Sequence, residues 1–191
     1  MTAATNDQKF QQLAHKIEPQ SKLLRAWQLK GGVSAQVTAL ELEQADRQTK
    51  RMIVRQHGPA DLKNNPQIAA DEFKLLQILQ SAGLPAPAPY CLDQSGEIFP
   101  TPYIVIEYVE GKSEFALAPE HIPQLATQLA RIHALDCSQL DVSFLPNQAQ
   151  RFARKISQRP TNLDESLDEG RIRDVLEAVG PLSRQHTAVL L

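Results

Sequence analysis

The sequence predicts an α+β protein whose strands lie in the first half and whose helices fill the second. Three observations carry this. Residues 27–55 read as strand, glycine turn, strand, polar turn, strand. Pro85, Pro87 and Pro89 follow a helical stretch and force an extended connector before two more short strands. After Gly111 the apolar residues recur at helical spacing. A run of strands followed by a run of helices is the pattern of an α+β chain.

Composition sets the outer bounds. The chain has 191 residues and 42% apolar residues, enough for a real core in one domain or in two lobes around a cleft. The net charge of −2 excludes a protein that holds nucleic acid mainly by phosphate contacts. No apolar run approaches the roughly 20 residues that cross a bilayer. Residues 1–10 carry neither a basic n-region nor an apolar h-region. No membrane partner and a cytoplasmic location are therefore expected. Cys91 and Cys137 make no disulfide framework and have no metal-ligand spacing.

The elements follow in order. Phe10, Leu13, Ala14 and Ile17 form one stripe, which predicts a helix over residues 6–17. A strand is expected at 27–30, a turn at Gly31-Gly32-Val33-Ser34, a strand through Val37, Leu40 and Leu42, and a strand at 50–55. Asn65-Pro66 reads as a helix start, with Asn as cap and Pro at the first helical position. That helix runs to Ser81, and Gly83 and Pro85 stop it. Strands are expected near 90–93 and 103–108. Stripes through Ile122, Leu125, Leu129 and Ile132, through Phe152 and Ile156, and through Ile172, Val175 and Val179 predict three further helices. Residues 187–191 read as the start of a buried strand. The ending Val189-Leu190-Leu191 is the expectation for a chain cut inside its fold.

Few residues stand out chemically. Glu72 shares a helix face with Ile68, Leu75 and Leu79, where a carboxylate is costly unless a cation meets it. Arg55 shares a strand face with Ile53 and is a candidate partner. Alternatively, Glu72 stands at the edge of the stripe in water. Gly31-Gly32-Val33-Ser34 can bring backbone N–H groups to a phosphate, or can simply be a hairpin turn. It is neither a Walker A loop nor a G-x-G-x-x-G. His133 lies on an apolar stripe, as core histidines do, and His57 and His121 have no carboxylate or cysteine at a useful spacing. Arg151, Arg154, Lys155 and Arg159, followed by Asp164, Glu165, Asp168 and Glu169, read as two helices with complementary wet faces. No metal cluster, nucleophile elbow or paired-carboxylate motif occurs.

The order of the pieces carries a resemblance. A hairpin with a glycine turn, a third strand ending in a cation, a helix with an inward Glu and a Pro-rich connector lead into Pro102-Tyr103-Ile104-Val105-Ile106-Glu107-Tyr108-Val109-Glu110-Gly111. This resembles the small lobe of the protein-kinase-like phosphotransferases, in the aminoglycoside phosphotransferase and choline-kinase-like branch. The segment Leu129-Ala130-Arg131-Ile132-His133-Ala134-Leu135-Asp136 is similar to the helix that follows.

The resemblance implies a kinase-like small lobe, an antiparallel five-stranded sheet plus helix, followed by an incomplete and mainly helical large lobe. It implies an N-terminal helix over 1–21, the nucleotide-binding lobe over 22–110 and a partial large lobe over 111–191. Arg55 would hold the nucleotide α/β-phosphates, where most kinases use Lys, and Glu72 would pair with it. Ile53 would pack on the adenine ring, and backbone at Glu107 and Val109 would bond its edge. Gly31, Gly32, Val33 and Ser34 would cover the phosphates. The implied cofactor is ATP with Mg2+, and the implied acceptor is a small-molecule hydroxyl. The family's H-G-D-x-x-x-x-N loop and metal-binding Asp are not in the sequence, so no catalytic residue and no metal ligand is assigned here. The chain alone is expected to be inactive. The alternative is a non-catalytic nucleotide- or partner-binding module that keeps only the kinase-like small lobe; self-association through the unfinished large lobe would support it.

Overall fold

The computed structural model describes residues 3–30, 35–111, 118–179 and 190. Gly31, Gly32, Val33 and Ser34 lie outside the described residues, as do Gly180-Pro181 and all but Leu190 of the strand expected at 187–191. The chain divides into two compact units, Met1–Ile132 and His133–Leu191.

The first unit is built on a five-stranded antiparallel sheet. In chain order its strands are β1 (Lys22–Gln28), β2 (Ala35–Glu43), β3 (Thr49–His57), β4 (Pro89–Asp93) and β5 (Tyr103–Glu107), arranged β1-β2-β3-β5-β4. Helix α1 (Ala3–Ile17) precedes β1, and α2 (Pro59–Asn64) and α3 (Ile68–Ser81) lie between β3 and β4. Helix α4 (Ile122–His133) closes the unit.

β1 runs 22–28 rather than the expected 27–30. Its first residues do not alternate cleanly, and its register with β2 slips between Leu23 and Arg25. Such an edge strand is defined by its partner more than by its own pattern. The expected turn at Asp46-Arg47-Gln48 is present. The Gln44 N–H donates to the Gln48 carbonyl at 2.8 Å, and the Asp46 side chain accepts from the Gln48 N–H at 2.9 Å. Arg47 takes φ 64° there.

The start of α3 differs from expectation. The helix begins at Ile68, with Gln67 as its cap. Asn65 instead makes a turn before it, accepting from the Gln67 N–H at 3.0 Å and donating to Asp71 at 2.7 Å. The helix stops as expected. Gly83 is left-handed at φ 68°, and the Leu84 N–H reaches back to the Leu79 carbonyl at 3.0 Å. The short helix α2, which starts on Pro59 after Gly58, has no apolar stripe and was not foreseen.

The two sheet faces have different fates, because side chains alternate along each strand. Leu40 and Leu42 of β2, Met52 and Val54 of β3, and Tyr103 and Val105 of β5 point one way. They are fully buried under Phe10, Leu13 and Ala14 of α1, with Phe99 edge-on to Tyr103. Each such Leu contributes about 1.5–3 kcal/mol by leaving water. Polar bonds fasten α1 at its end. The buried carboxylate of Asp93 accepts from Lys16 of α1 at 2.6 Å, from the Tyr103 hydroxyl at 2.8 Å and from Ser95. The other face carries Trp27, Ala39, Ile53, Arg55 and Ile104, which register places side by side. Helix α3 lies against β3, β4 and β5.

The apolar stripe expected on 120–135 forms α4, but Ile122, Leu125 and Leu129 are exposed. The Arg131 guanidinium donates to the Gly83 carbonyl at 3.0 Å, which ties α4 to the end of α3. None of the helices among the described residues is long and apolar enough to cross a membrane.

The second unit holds α5 (Gln148–Ser157) and α6 (Glu169–Val179). Asn147 caps α5 by accepting from the Gln150 N–H at 3.1 Å. The charge pairing differs in its partners from the expectation. Arg159 reaches Asp174 at 2.7 Å and Glu177 at 3.5 Å, further along α6 than the carboxylates read from the sequence. Asp164 instead turns back on its own backbone, accepting from both the N–H and the hydroxyl of Ser166.

Candidate functional site

Strand β3 places Arg51, Ile53, Arg55 and His57 on one face, two residues apart. The three lysines and arginines of β3 have different surroundings. Lys50 pairs with Glu18. Arg51 is held by Glu41 at 2.7 Å and by Glu110 at 2.6 Å. Arg55 alone of the three meets Glu72, with Nε 3.1 Å from Oε2. Of the two readings of Glu72, the paired one is the geometry found.

Glu72 has a second neighbour. The His57 Nε2 lies 2.9 Å from the same Oε2. Sequence spacing did not foresee this, because the companion sits on a different element. The available signal was strand alternation, which puts His57 beside Arg55. The His57 side chain is only 2% exposed, while Arg55 and Glu72 are 33% and 27% exposed. Neither Arg55 Nε nor the His57 ring N–H is aligned on the oxygen for a hydrogen bond, so proximity, and for Arg55 its charge, carries these contacts.

The energetics set this cluster apart from a structural staple. An ion pair this exposed contributes about 0–1 kcal/mol to folding. A buried imidazole without an aligned partner costs about 1–3 kcal/mol. Local arrangements that cost stability are expected where a fold carries function. Arg55 touches Glu72 through its inner nitrogen. Its closest approach to that carboxylate is through Nε, and its two terminal nitrogens make no hydrogen bond among the described residues. A planar guanidinium can thus face a carboxylate on one side and an anion on the other.

Around this centre the sheet face is apolar. Ile53 stands opposite Ala39 on β2 and Ile106 on β5, and Ile104 stands opposite Arg55. Trp27 and Tyr108 meet with ring centroids 6.3 Å apart. The Arg25 guanidinium lies over Trp27 at 4.4 Å, and Glu41 joins Arg25 to Arg51. Hydrogen bonds first from Arg51 and then from Arg25 hold the Glu41 carboxyl below the usual carboxylate range.

At the end of β5, Glu107 binds the Pro-rich connector. Its N–H donates to the Ala88 carbonyl at 2.8 Å, and its side chain accepts from the Ala88 N–H at 3.0 Å. The N–H of Glu107 is therefore occupied. Val109 lies two residues on, exposed, with no backbone hydrogen bond among the described residues. A shallow depression beside it is lined by Arg51, Tyr90, Glu107, Tyr108 and Glu110.

The structure thus brings Arg55 and Glu72 together, with Ile53 on the same face. It puts Glu107 and Val109 at the end of β5, two strand partners away from β2. Gly31, Gly32, Val33 and Ser34 lie outside the described residues, between β1 and β2. Among the described residues no cluster of three or more His, Cys, Asp or Glu side chains could hold a metal ion.

Comparison with known proteins accords with this architecture. A family model described as the phosphotransferase enzyme family matches residues 26–190. Among solved structures, a putative aminoglycoside phosphotransferase from Ralstonia eutropha JMP134 is 14% identical, with a TM-score of 0.57, over 87% of this chain and 51% of that one. APH(2")-IIIa in its GDP and kanamycin complex is 16% identical, with a TM-score of 0.59, over 95% of this chain and 63% of that one. The chain thus spans between half and two thirds of the length of these two structures. No curated protein matches the chain. With a five-stranded sheet, a β3 cation paired to a helix carboxylate and a family match over most of its length, this chain belongs to the phosphotransferase enzyme family (APH).

Proposed function

We propose that this chain is the nucleotide-holding, N-terminal part of an ATP-dependent small-molecule phosphotransferase, which moves a γ-phosphoryl group to a substrate hydroxyl. The single observation that supports it most is the Arg55–Glu72 contact at 3.1 Å on an apolar sheet face. In this reading residues 1–21 are an accessory helix, 22–110 the nucleotide-binding lobe and 111–191 part of the helical lobe.

The residues present fit a nucleoside triphosphate. The terminal nitrogens of Arg55 hold the α/β-phosphates, and Glu72 orients the guanidinium. Ile53 offers an apolar surface to the base. At the end of β5, the Val109 N–H and the Glu107 carbonyl take the polar edge of the base, since the Glu107 N–H is already bonded to Ala88. Gly31, Gly32, Val33 and Ser34, which lie outside the described residues, would on this reading cover the phosphates. A bound Mg2+ nucleotide supplies the phosphoryl group and the charge neutralisation of the transfer. Backbone recognition of the base accommodates ATP or GTP, and one relative of similar fold was solved with GDP. An aminoglycoside-like or other polyhydroxylated acceptor fits the family, and fold alone does not choose among them.

The sequence has no H-G-D-x-x-x-x-N motif, so residues 1–191 lack the base that would accept the hydroxyl proton. Calorimetry with MgATP and MgGTP, alongside a coupled turnover assay, tests both halves of this reading. Saturable nucleotide binding without turnover is expected. A folded chain that binds no nucleotide removes the site, and turnover by this chain removes the expected inactivity.

A further inference from the structure

We propose that His57 is a positioning residue for the β3 cation. It grips the Glu72 carboxylate from the buried side, so that the terminal nitrogens of Arg55 stay turned to the bound anion. This deepens, and rests on, the nucleotide reading of the same site.

Three observations carry it. The Arg55 Nε and the His57 Nε2 converge on one oxygen, Glu72 Oε2, at 3.1 and 2.9 Å. The imidazole is buried, and neither ring nitrogen finds an aligned hydrogen-bond partner among the described residues. The buried polar groups of folded proteins are nearly always satisfied, so an exception calls for a reason. The third observation is the use of arginine where a lysine would suffice as a point charge. A guanidinium can contact a carboxylate and a phosphate together only if the carboxylate is held to one side of its plane.

Glu72 stands on a helix and keeps three rotatable bonds. A single contact from Arg55 would leave it free to swing onto the terminal nitrogens in a bidentate pair, where it would compete with phosphate. A second contact on the same oxygen, from a side chain that cannot move into solvent, opposes that swing. His57 is too deeply buried to touch a nucleotide itself, so its effect runs through Glu72.

The test uses residues 1–191 with two variants. His57→Phe keeps an aromatic ring, somewhat larger than imidazole, and removes the N–H, and His57→Gln restores a donor near the position of Nε2. His57→Phe is expected to weaken MgATP binding roughly tenfold, through loss of the 2.9 Å contact that holds Glu72 Oε2 to one side of the guanidinium. It is expected to do so while the melting temperature holds, because removing a buried unaligned polar group offsets the strain of the larger ring. His57→Gln is expected to recover most of the affinity. A merely structural histidine would instead lose stability and affinity together. Unchanged affinity in His57→Phe, while Arg55→Ala still weakens binding, would overturn the proposal and leave the nucleotide site standing.

A second readout does not need nucleotide. The 15N resonances of the His57 ring are expected to show Nε2 as the protonated nitrogen and to move in Glu72→Gln. If wild-type chain binds no nucleotide but these resonances move, the grip is real and the nucleotide reading fails. If they do not move, the grip itself is disproved.

Discussion

Arg55→Ala is expected to weaken MgATP binding to this chain by about 10- to 100-fold, the range for losing hydrogen bonds to a charged group. On the proposed reading, a longer chain that also carried the family's catalytic loop would show a raised KM for ATP and a lowered kcat, because positioning of the phosphates is most of what such a site contributes. Stability should barely change, since the Arg55–Glu72 pair is partly exposed. Arg55→Lys is expected to fall between, because an ammonium cannot serve Glu72 and a phosphate through separate nitrogens. Calorimetry on the three proteins reads this directly. Equal affinities would mean that Arg55 is the wrong cation. Its neighbours are poor replacements, because Lys50 is committed to Glu18 and Arg51 to Glu41 and Glu110.

The largest effect on stability is expected away from the site, at Asp93→Ala. That carboxylate is buried and accepts from Lys16, Ser95 and the Tyr103 hydroxyl. The substitution leaves the buried Tyr103 hydroxyl without its acceptor and frees the end of α1 from the sheet. A loss of about 2–4 kcal/mol follows, read as a lower urea midpoint at constant slope. Tyr103→Phe removes one bond without leaving a buried orphan on its own side and should cost about 1 kcal/mol. The acid limb of stability follows from the same group. Burial alone would raise the Asp93 carboxyl, but the hydrogen bonds from Lys16, Ser95 and Tyr103 outweigh it and hold it well below the usual carboxylate range. The unfolded chain then binds the proton more readily than the folded one. The Asp93 contribution is fully present above about pH 4, the ordinary Asp value, and is lost as pH falls below it. Unfolding followed from pH 6 to pH 2 should show a shallower loss in Asp93→Ala than in the parent. Parallel curves would mean that Asp93 is not the group responsible. Burial first, and then the bond to Asp93, pushes the Tyr103 phenol upward, so it adds nothing to this window.

How much of this was legible in the residues varies with how local each cause is. The strip of α1, the β2 and β3 strands and the stop at Gly83 are written in periods of two or 3.6 and in one residue that tolerates positive φ. β1 was misplaced because an edge strand with a register slip has little pattern of its own. The start of α3 was misplaced because Asn65 had two local uses, cap or turn, and only the bond to Asp71 chooses between them.

The candidate site divides along the same line. The residue types of the pair, a strand arginine beside an apolar isoleucine and a helix glutamate on an apolar stripe, could be named from alternation and helical spacing alone. Their meeting could not, because helix phase against a sheet depends on packing of α3 on β3, β4 and β5. The same packing brought His57 to Glu72 and left Arg51 to Glu41 and Glu110. Periodicity is a property of one segment and survives in the sequence. Which side chain on one segment reaches which on another depends on distances between elements, and those exist only in the folded chain.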